Sequence, residues 1–119
     1  MMSKILIVDD SRTSRKILRE IFTEAGHEIV AEAENGQDGV EKYSEFKPDI
    51  VTLDITMPVL DGLAALKEIK KIDPNAKVVM VTAIGKQNMV VEAIKSGASE
   101  FVTKPFDKDN ILKIISKLG

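Results

Sequence analysis

Cysteine and tryptophan are both absent from this 119-residue sequence, and aromatic residues make up only 4% of it. The lack of cysteine excludes disulfides, thiolate metal sites and cysteine nucleophiles. A strong charge of one sign is also missing, because 17 basic and 19 acidic residues leave a formal net charge of -2. We therefore predict no nucleic-acid partner and no attachment to an anionic membrane surface.

Long hydrophobic runs are missing as well. The apolar stretch near the start is short and leads directly into Asp9 and Asp10, which is too little for a signal-peptide core, and no later stretch is long enough to span a bilayer. At this length a single compact domain, residues 1–119, is expected. The default prediction is a soluble cytoplasmic protein.

Two kinds of segment alternate along the chain. Short runs rich in Ile and Val predict buried parallel strands, since strands covered on both faces lose the polar alternation. These runs are 5–8, 50–53, 78–81 and 101–102, with a weaker candidate at 29–33. Between them, apolar residues recur at helical spacing, and the fourth and last helices are predicted at 87–96 and 110–118. Five strand-helix units predict an α/β fold with helices on both faces of a parallel sheet.

Glycine and proline are expected between these segments, where helices stop and the chain turns. The positions concerned are Gly26, Gly36, Pro48, Pro74 and Gly97. Their spacing agrees with the strand-helix alternation.

Polar residues directly follow the apolar runs. Asp9 and Asp10 follow the first run, Asp54 the third, Thr82 the fourth and Lys104 the fifth. In an open doubly wound sheet, ligands bind at the carboxyl ends of the strands. We therefore expect these three carboxylates, one hydroxyl and one ammonium to lie near one another.

The three carboxylates predict a metal ion. Two carboxylates 4 Å apart repel by about 4 kcal/mol at an effective dielectric constant near 20, and Lys104 alone cannot balance three of them. The ligands are hard oxygens, with no His or Cys, and so few of them leave coordination positions for water and substrate, which favours Mg²⁺.

A carboxylate that shares a site with a metal ion and an ammonium is suited to attack phosphorus. Asp54 stands alone at a strand end and is the best nucleophile candidate, whereas Asp9 and Asp10 are adjacent and suited to holding the ion. Lys104 and Thr82 can contact the phosphoryl oxygens. Each residue has a simpler interpretation, as a helix cap, a turn residue or a solvated lysine, but these do not explain why all of them occur at strand ends.

The whole chain resembles the receiver domains of two-component response regulators, most closely the stand-alone chemotaxis regulators. The motifs that support the resemblance are highly specific as a set; they are 6–10, 48–54, Met57-Pro58, Asp61-Gly62, 81–83, Gly97-Ala98 and 104–106. The resemblance implies a flavodoxin-like fold of five parallel strands in the order 2-1-3-4-5 and five helices.

The resemblance also implies roles for individual residues. Asp54 becomes the phosphorylation site, and Mg²⁺ is bound by Asp9, Asp10, Asp54 and the backbone carbonyl of Thr56. Thr82 becomes the switch hydroxyl and Lys104 the family's lysine.

Three further residues acquire expectations in the same way. Lys104-Pro105 is expected to be a cis peptide bond, so that Pro105 directs Lys104 into the site. Phe101 matches an aromatic switch position that is often tyrosine in the family; a plain core residue is the alternative. Ile84 lies at a position that controls access of water to the acyl phosphate, and its apolar side chain predicts a long-lived phosphoryl state.

Partners follow from the same resemblance. The phosphoryl group would come from a histidine of a sensor kinase, so His27 needs no role and is expected to be an exposed loop residue. The output would be a protein, such as a flagellar motor switch component, binding a face built from the fourth helix, the fifth strand and the last helix. A separate phosphatase is possible, and the protein is expected to be a monomer.

Three rival functions remain open on the sequence. A phosphatase of the haloacid dehalogenase type also uses an aspartate nucleophile, but it needs a second acid where this chain has Thr56. A flavin carrier would need a phosphate-binding loop and more aromatic residues. A receiver excised from a longer regulator is the third; the last helix runs to the end with no linker, which favours a complete stand-alone protein.

Overall fold

The computed structural model describes residues 2–55, 57, 59–83 and 87–119. Within them, five strands and five helices alternate, as predicted. The strands are β1 (Lys4–Val8), β2 (Glu28–Ala33), β3 (Ile50–Asp54), β4 (Val78–Thr82) and β5 (Glu100–Thr103). The helices are α1 (Arg12–Glu24), α2 (Gly36–Phe46), α3 (Gly62–Ile72), α4 (Gln87–Lys95) and α5 (Lys108–Leu118).

All strand pairs are parallel, and the sheet order is β2-β1-β3-β4-β5. This order confirms the flavodoxin-like topology. β1 and β3 lie side by side in the sheet, with Val8 opposite Leu53, so the residues that follow them reach the same edge. The order changes direction at this point of the sheet, which is where ligands bind in such folds.

The core has one layer on each face of the sheet. Ile5, Ile7 and Ile50 belong to a cluster that includes the buried residues of α1 and α5, and the alternate strand positions belong to a second cluster with residues of α2, α3 and α4. Because successive strand residues point to opposite faces, Asp9 continues the Ile5–Ile7 series and Asp54 the Ile50–Thr52 series. Both carboxylates therefore emerge on the α1/α5 side of the sheet.

Side-chain caps fix where most of the helices begin. Ser11 accepts a hydrogen bond from the backbone of Ser14, which makes Ser11, and not Asp9 or Asp10, the cap of α1. Asp107 caps α5 through the amide of Asn110, so this helix begins at Lys108, two residues earlier than predicted. The predicted position of Gly36 between elements was also wrong, since it is the first residue of α2.

Not every apolar position at helical spacing is buried. Leu18 and Phe22 of α1 are fully buried, whereas Ile17 is 41% exposed, and Val91 of α4 is 54% exposed. No helix in the described parts of the chain combines the length and hydropathy that crossing a bilayer requires.

Candidate functional site

Asp9 is almost completely buried, and nearly all of its polar atoms are bonded. Its N–H donates to the carbonyl of Ala33 at 3.0 Å, and its Oδ1 accepts from the amide of Ser11 at 2.8 Å. Its carbonyl accepts from Nη1 of Arg15 at 2.7 Å. Its Oδ2 has no hydrogen-bond partner among the described residues, although Lys104 Nζ lies at an ion-pair distance of 3.1 Å. Among the described residues, Lys104 is therefore the one cation in contact with this buried oxygen, and no donor is aligned to form a hydrogen bond with it.

The three predicted carboxylates converge. One oxygen each of Asp9, Asp10 and Asp54 lies within 4.8 Å of the others, and this is the one such cluster found within the described residues. Asp9 and Asp54 are buried, whereas Asp10 is exposed. The site therefore opens to solvent on the Asp10 side.

Lys104 provides the positive charge at this edge. Its Nζ lies 3.6 Å from Asp54 Oδ2, in addition to its contact with Asp9. Its backbone N–H donates to the carbonyl of Thr82 at 2.8 Å, which ties the end of β5 to the end of β4. The peptide bond between Lys104 and Pro105 is cis, as expected.

Asp54 ends β3, and its pKa is displaced. Burial, as the largest cause, and the negative charge of Asp9 raise the pKa of Asp54 from 3.8 to about 7, while Lys104 lowers it and Asp10 raises it further. One lysine therefore does not offset the combined effect of burial and of the two neighbouring carboxylates on the pKa of Asp54. A second cation is required to keep Asp54 fully ionised at neutral pH.

Thr82 and Phe101 lie on the other side of this edge. Thr82 is buried, and its hydroxyl donates to the carbonyl of Ala83 at 3.1 Å rather than to Asp54. Phe101 is 45% exposed and, together with Thr82, Val91 and Ile94, lines an apolar groove of about 580 Å³ between α4 and β5. An exposed Phe101 rules out the plain core interpretation in this conformation.

Three other expectations have different outcomes. Thr56, whose backbone carbonyl is predicted to bind Mg²⁺, and Ile84 both lie outside the described residues. The expectation that His27 is exposed was wrong. His27 is half-buried, its ring meets Phe22 edge-on, and its Nδ1 accepts from the amide of Ser3 at 3.0 Å. The need to satisfy a backbone N–H at the start of the sheet explains this position.

Two contributors to the site were missed by the sequence reasoning. Arg15 bonds the Asp9 carbonyl, and the Ser11 amide bonds the Asp9 carboxylate. The sequence signal at Ser11 indicates only a helix cap. Arg15 gives no local signal beyond lying one turn into α1, because its contact depends on where the tertiary fold places β1.

The donor set fits a hard divalent ion such as Mg²⁺. The available ligands are carboxylate oxygens, one of them is buried without a hydrogen bond, and the exposed side leaves positions for water. Asp9, Asp10 and Asp54 are the described residues that could hold the ion.

The chain matches the family model of the response regulator receiver domain over residues 5–116, and it belongs to this family. Receivers are the signalling modules of two-component systems, so the predicted family is confirmed, and neither a phosphatase nor a flavin carrier is favoured. The chain is 52% identical over 119 residues to the chemotaxis protein CheY of Thermotoga maritima, covering 100% of this chain and 99% of that protein.

Two further relatives agree with this assignment. The chain is 52% identical over 117 residues to the chemotaxis protein CheY of Bacillus subtilis, covering 98% of each. A chain of the crystal structure of the CheX–CheY–BeF3–Mg²⁺ complex from Borrelia burgdorferi superposes with a TM-score of 0.92 at 41% identity, covering 97% of this chain and 87% of that one.

Proposed function

We propose that Asp54 accepts a phosphoryl group from the phosphohistidine of a sensor kinase, with Mg²⁺ held by Asp9, Asp10 and Asp54 and by the carbonyl of Thr56. The proposal depends on one observation. Carboxylate oxygens from the ends of two adjacent strands lie within 4.8 Å of one another, and a lysine ammonium lies 3.6 Å from Asp54.

The charges of the site suit an in-line transfer. A carboxylate oxygen of Asp54 would form a bond to phosphorus as the bond from phosphorus to the donor nitrogen breaks. Lys104, whose ammonium lies between Asp9 and Asp54, would bind one phosphoryl oxygen. The Thr82 hydroxyl would give up its hydrogen bond to the Ala83 carbonyl and donate to a second phosphoryl oxygen. Bound Mg²⁺ would supply charge neutralisation for the phosphoryl oxygens and keep Asp54 ionised.

The pathway we propose is chemotaxis, in the cytoplasm, with the chain acting as a monomer. Support comes from the relatives that are named chemotaxis proteins and that match nearly the full length of this chain. The phosphoryl donor would then be a chemotaxis-type histidine kinase. The output partner would be a protein such as a component of the flagellar motor switch. A separate phosphatase would reset the switch.

The output surface we propose is the face formed by α4, β5 and α5. Thr82 lines the apolar groove on this face, and its neighbour Val81 pairs with Asp54 in the sheet. Movement of the Thr82 hydroxyl toward a phosphoryl group would leave room for the exposed ring of Phe101 to turn inward. Such coupling between two sites is typically worth about 1 to 3 kcal/mol.

Phosphorylation should therefore change the NMR spectra of this face. We expect the methyl resonances of Val91 and Ile94 to shift when the protein is phosphorylated, while those of Ile17 on α1, which is similarly exposed, stay unchanged. Unchanged Val91 and Ile94 resonances in a fully phosphorylated sample would refute the proposed output face.

The phosphoacceptor role is tested by incubation with Mg²⁺ and acetyl phosphate, followed by intact mass measurement. The native chain should gain one base-labile phosphate, and Asp54→Ala should gain none. Asp109→Asn, which removes an exposed carboxylate of α5, is the matched control and should be labelled like the native chain. Equal labelling of the native chain and Asp54→Ala would place the site elsewhere.

A further inference from the structure

Arg15 links α1 to the backbone of the candidate metal site. Its side chain is only 15% exposed, although arginine is usually a surface residue. Its Nη1 donates a 2.7 Å hydrogen bond to the carbonyl of Asp9, and its Nε lies 3.5 Å from Oε1 of Glu32 on β2. The guanidinium thus connects α1, the residue that follows β1 and strand β2 next to the candidate metal site.

The carbonyl that Arg15 binds belongs to the peptide between Asp9 and Asp10. Holding this peptide plane restricts the ψ of Asp9 and the φ of Asp10, which are the two backbone torsions that set the direction of one carboxylate relative to the other. The N–H and Oδ1 of Asp9 are held by the backbone of Ala33 and Ser11, so within the described residues Arg15 makes the one side-chain hydrogen bond to Asp9. Oδ2 of Asp9 accepts no hydrogen bond within the described residues and has Lys104 Nζ at an ion-pair distance of 3.1 Å.

Glu32 holds Arg15 in this orientation. It lies beside Ala33, which accepts the N–H of Asp9, and its second oxygen accepts a 2.7 Å bond from Arg19. The charge of Arg15 is therefore paired with Glu32, and its hydrogen bond to Asp9 goes to a neutral carbonyl. The contribution of Arg15 to the carboxylates is geometric, like that of the groups which orient metal ligands in other sites.

We infer that Arg15 is a positioning residue for divalent-ion binding: by holding the Asp9–Asp10 peptide, it orients both carboxylates before the ion arrives. This inference rests on the proposed function, since it concerns the same Mg²⁺ site. The hydrogen bond from Arg15 reaches a backbone carbonyl and not a carboxylate, so its effect must pass through the backbone.

The test compares Arg15→Met with Arg19→Met, which removes the other arginine on Glu32 without touching Asp9. Mg²⁺ affinity is measured from amide NMR shifts during titration with MgCl₂, and thermal stability is measured in parallel without the ion. We expect Arg15→Met to weaken Mg²⁺ binding by about tenfold or more. Arg19→Met should bind Mg²⁺ like the native chain.

A positioning role also predicts that high Mg²⁺ concentrations restore phosphorylation of the Arg15→Met variant. The phosphorylation rate of Arg15→Met with acetyl phosphate should rise towards the native value at saturating Mg²⁺, because Asp54 and Lys104 are unchanged. Arg15→Lys should give an intermediate Mg²⁺ affinity. A lysine ammonium lacks the planar, forked donors with which the arginine guanidinium reaches the Asp9 carbonyl and Glu32 together. If Arg15→Met does not fold, Arg15→Lys against Arg19→Lys decides the question.

Native-like Mg²⁺ affinity in the Arg15 variants would overturn the inference, even if their melting temperatures fall. In that case the native chain would still bind Mg²⁺ and be labelled, and the proposed function would stand. Failure of the native chain itself to bind Mg²⁺ would overturn both.

Discussion

Asp54→Asn is expected to be more stable than the native chain at neutral and alkaline pH in the absence of Mg²⁺. In the folded protein, burial and the charge of Asp9 raise the pKa of Asp54 from 3.8 to about 7. Between these pH values the folded state binds more protons than the unfolded state, so the free energy of unfolding falls as pH rises. The native chain thereby loses up to about 4 kcal/mol across this window, and the neutral amide does not.

The measurement is urea unfolding of both proteins from about pH 4 to about pH 8 in EDTA. The stability difference should be small at the acid end and reach its full size above about pH 7. Added Mg²⁺ should narrow the gap, because an ion that binds the folded native chain stabilises it more than the variant. Asp109→Asn serves as the control for loss of an exposed carboxylate. A difference in unfolding free energy between the two proteins that stays constant across this pH range would contradict the raised pKa of Asp54.

Gly62→Ala is expected to destabilise the protein by about 3 kcal/mol or more, at the upper end of what overpacking costs. A Cβ at Gly62 would overlap the carbonyl oxygen of Asp54 and lie 2.6 Å from the Cα of Ile55. Both are backbone atoms and cannot rotate away. The N–H of Gly62 also donates to the carbonyl of Ile55 at 2.6 Å, so the start of α3 is held directly against the end of β3.

The matched control is Gly26→Ala. Gly26 has a φ of +91°, and no atom lies within 4 Å of the position that a Cβ would occupy, so its substitution costs only the backbone strain, about 1 to 2 kcal/mol. Thermal or urea unfolding compares the two variants. Equal destabilisation by both substitutions would show that the backbone of Asp54 and Ile55 leaves room for a Cβ at Gly62. Phosphorylation of Gly62→Ala should also slow, because the displaced carbonyl belongs to Asp54.

Local chemistry explains why much of the site could be predicted from the sequence. Asp9 and Asp54 follow apolar runs directly and Lys104 follows its run after Thr103, and the ends of parallel strands meet at one edge whatever the details of packing. The strand order itself came from the family resemblance, because the alternation of strands and helices does not specify which strands are neighbours.

The remaining features depend on distant parts of the chain. The bond from Arg15 to the Asp9 carbonyl requires α1 to pack beside the β1–β2 pair, and the bond from Ser3 to His27 joins the beginnings of the same two strands. Likewise, Ile17 and Val91 fit a helical apolar pattern, but the sheet covers only part of each helix face. Periodicity predicts which face is buried and not how wide the buried strip is.

The most direct test of the Asp54 site is chemical trapping of the phosphorylated residue. The protein is incubated with acetyl phosphate in Mg²⁺ or in EDTA, reduced with borohydride, which converts an aspartyl phosphate to homoserine, and digested for peptide mass mapping. We predict homoserine at position 54 in the Mg²⁺ sample and unmodified aspartate there in EDTA. Homoserine at another aspartate, or equal conversion of Asp54 in EDTA, would contradict the metal-assisted site at the ends of β1 and β3.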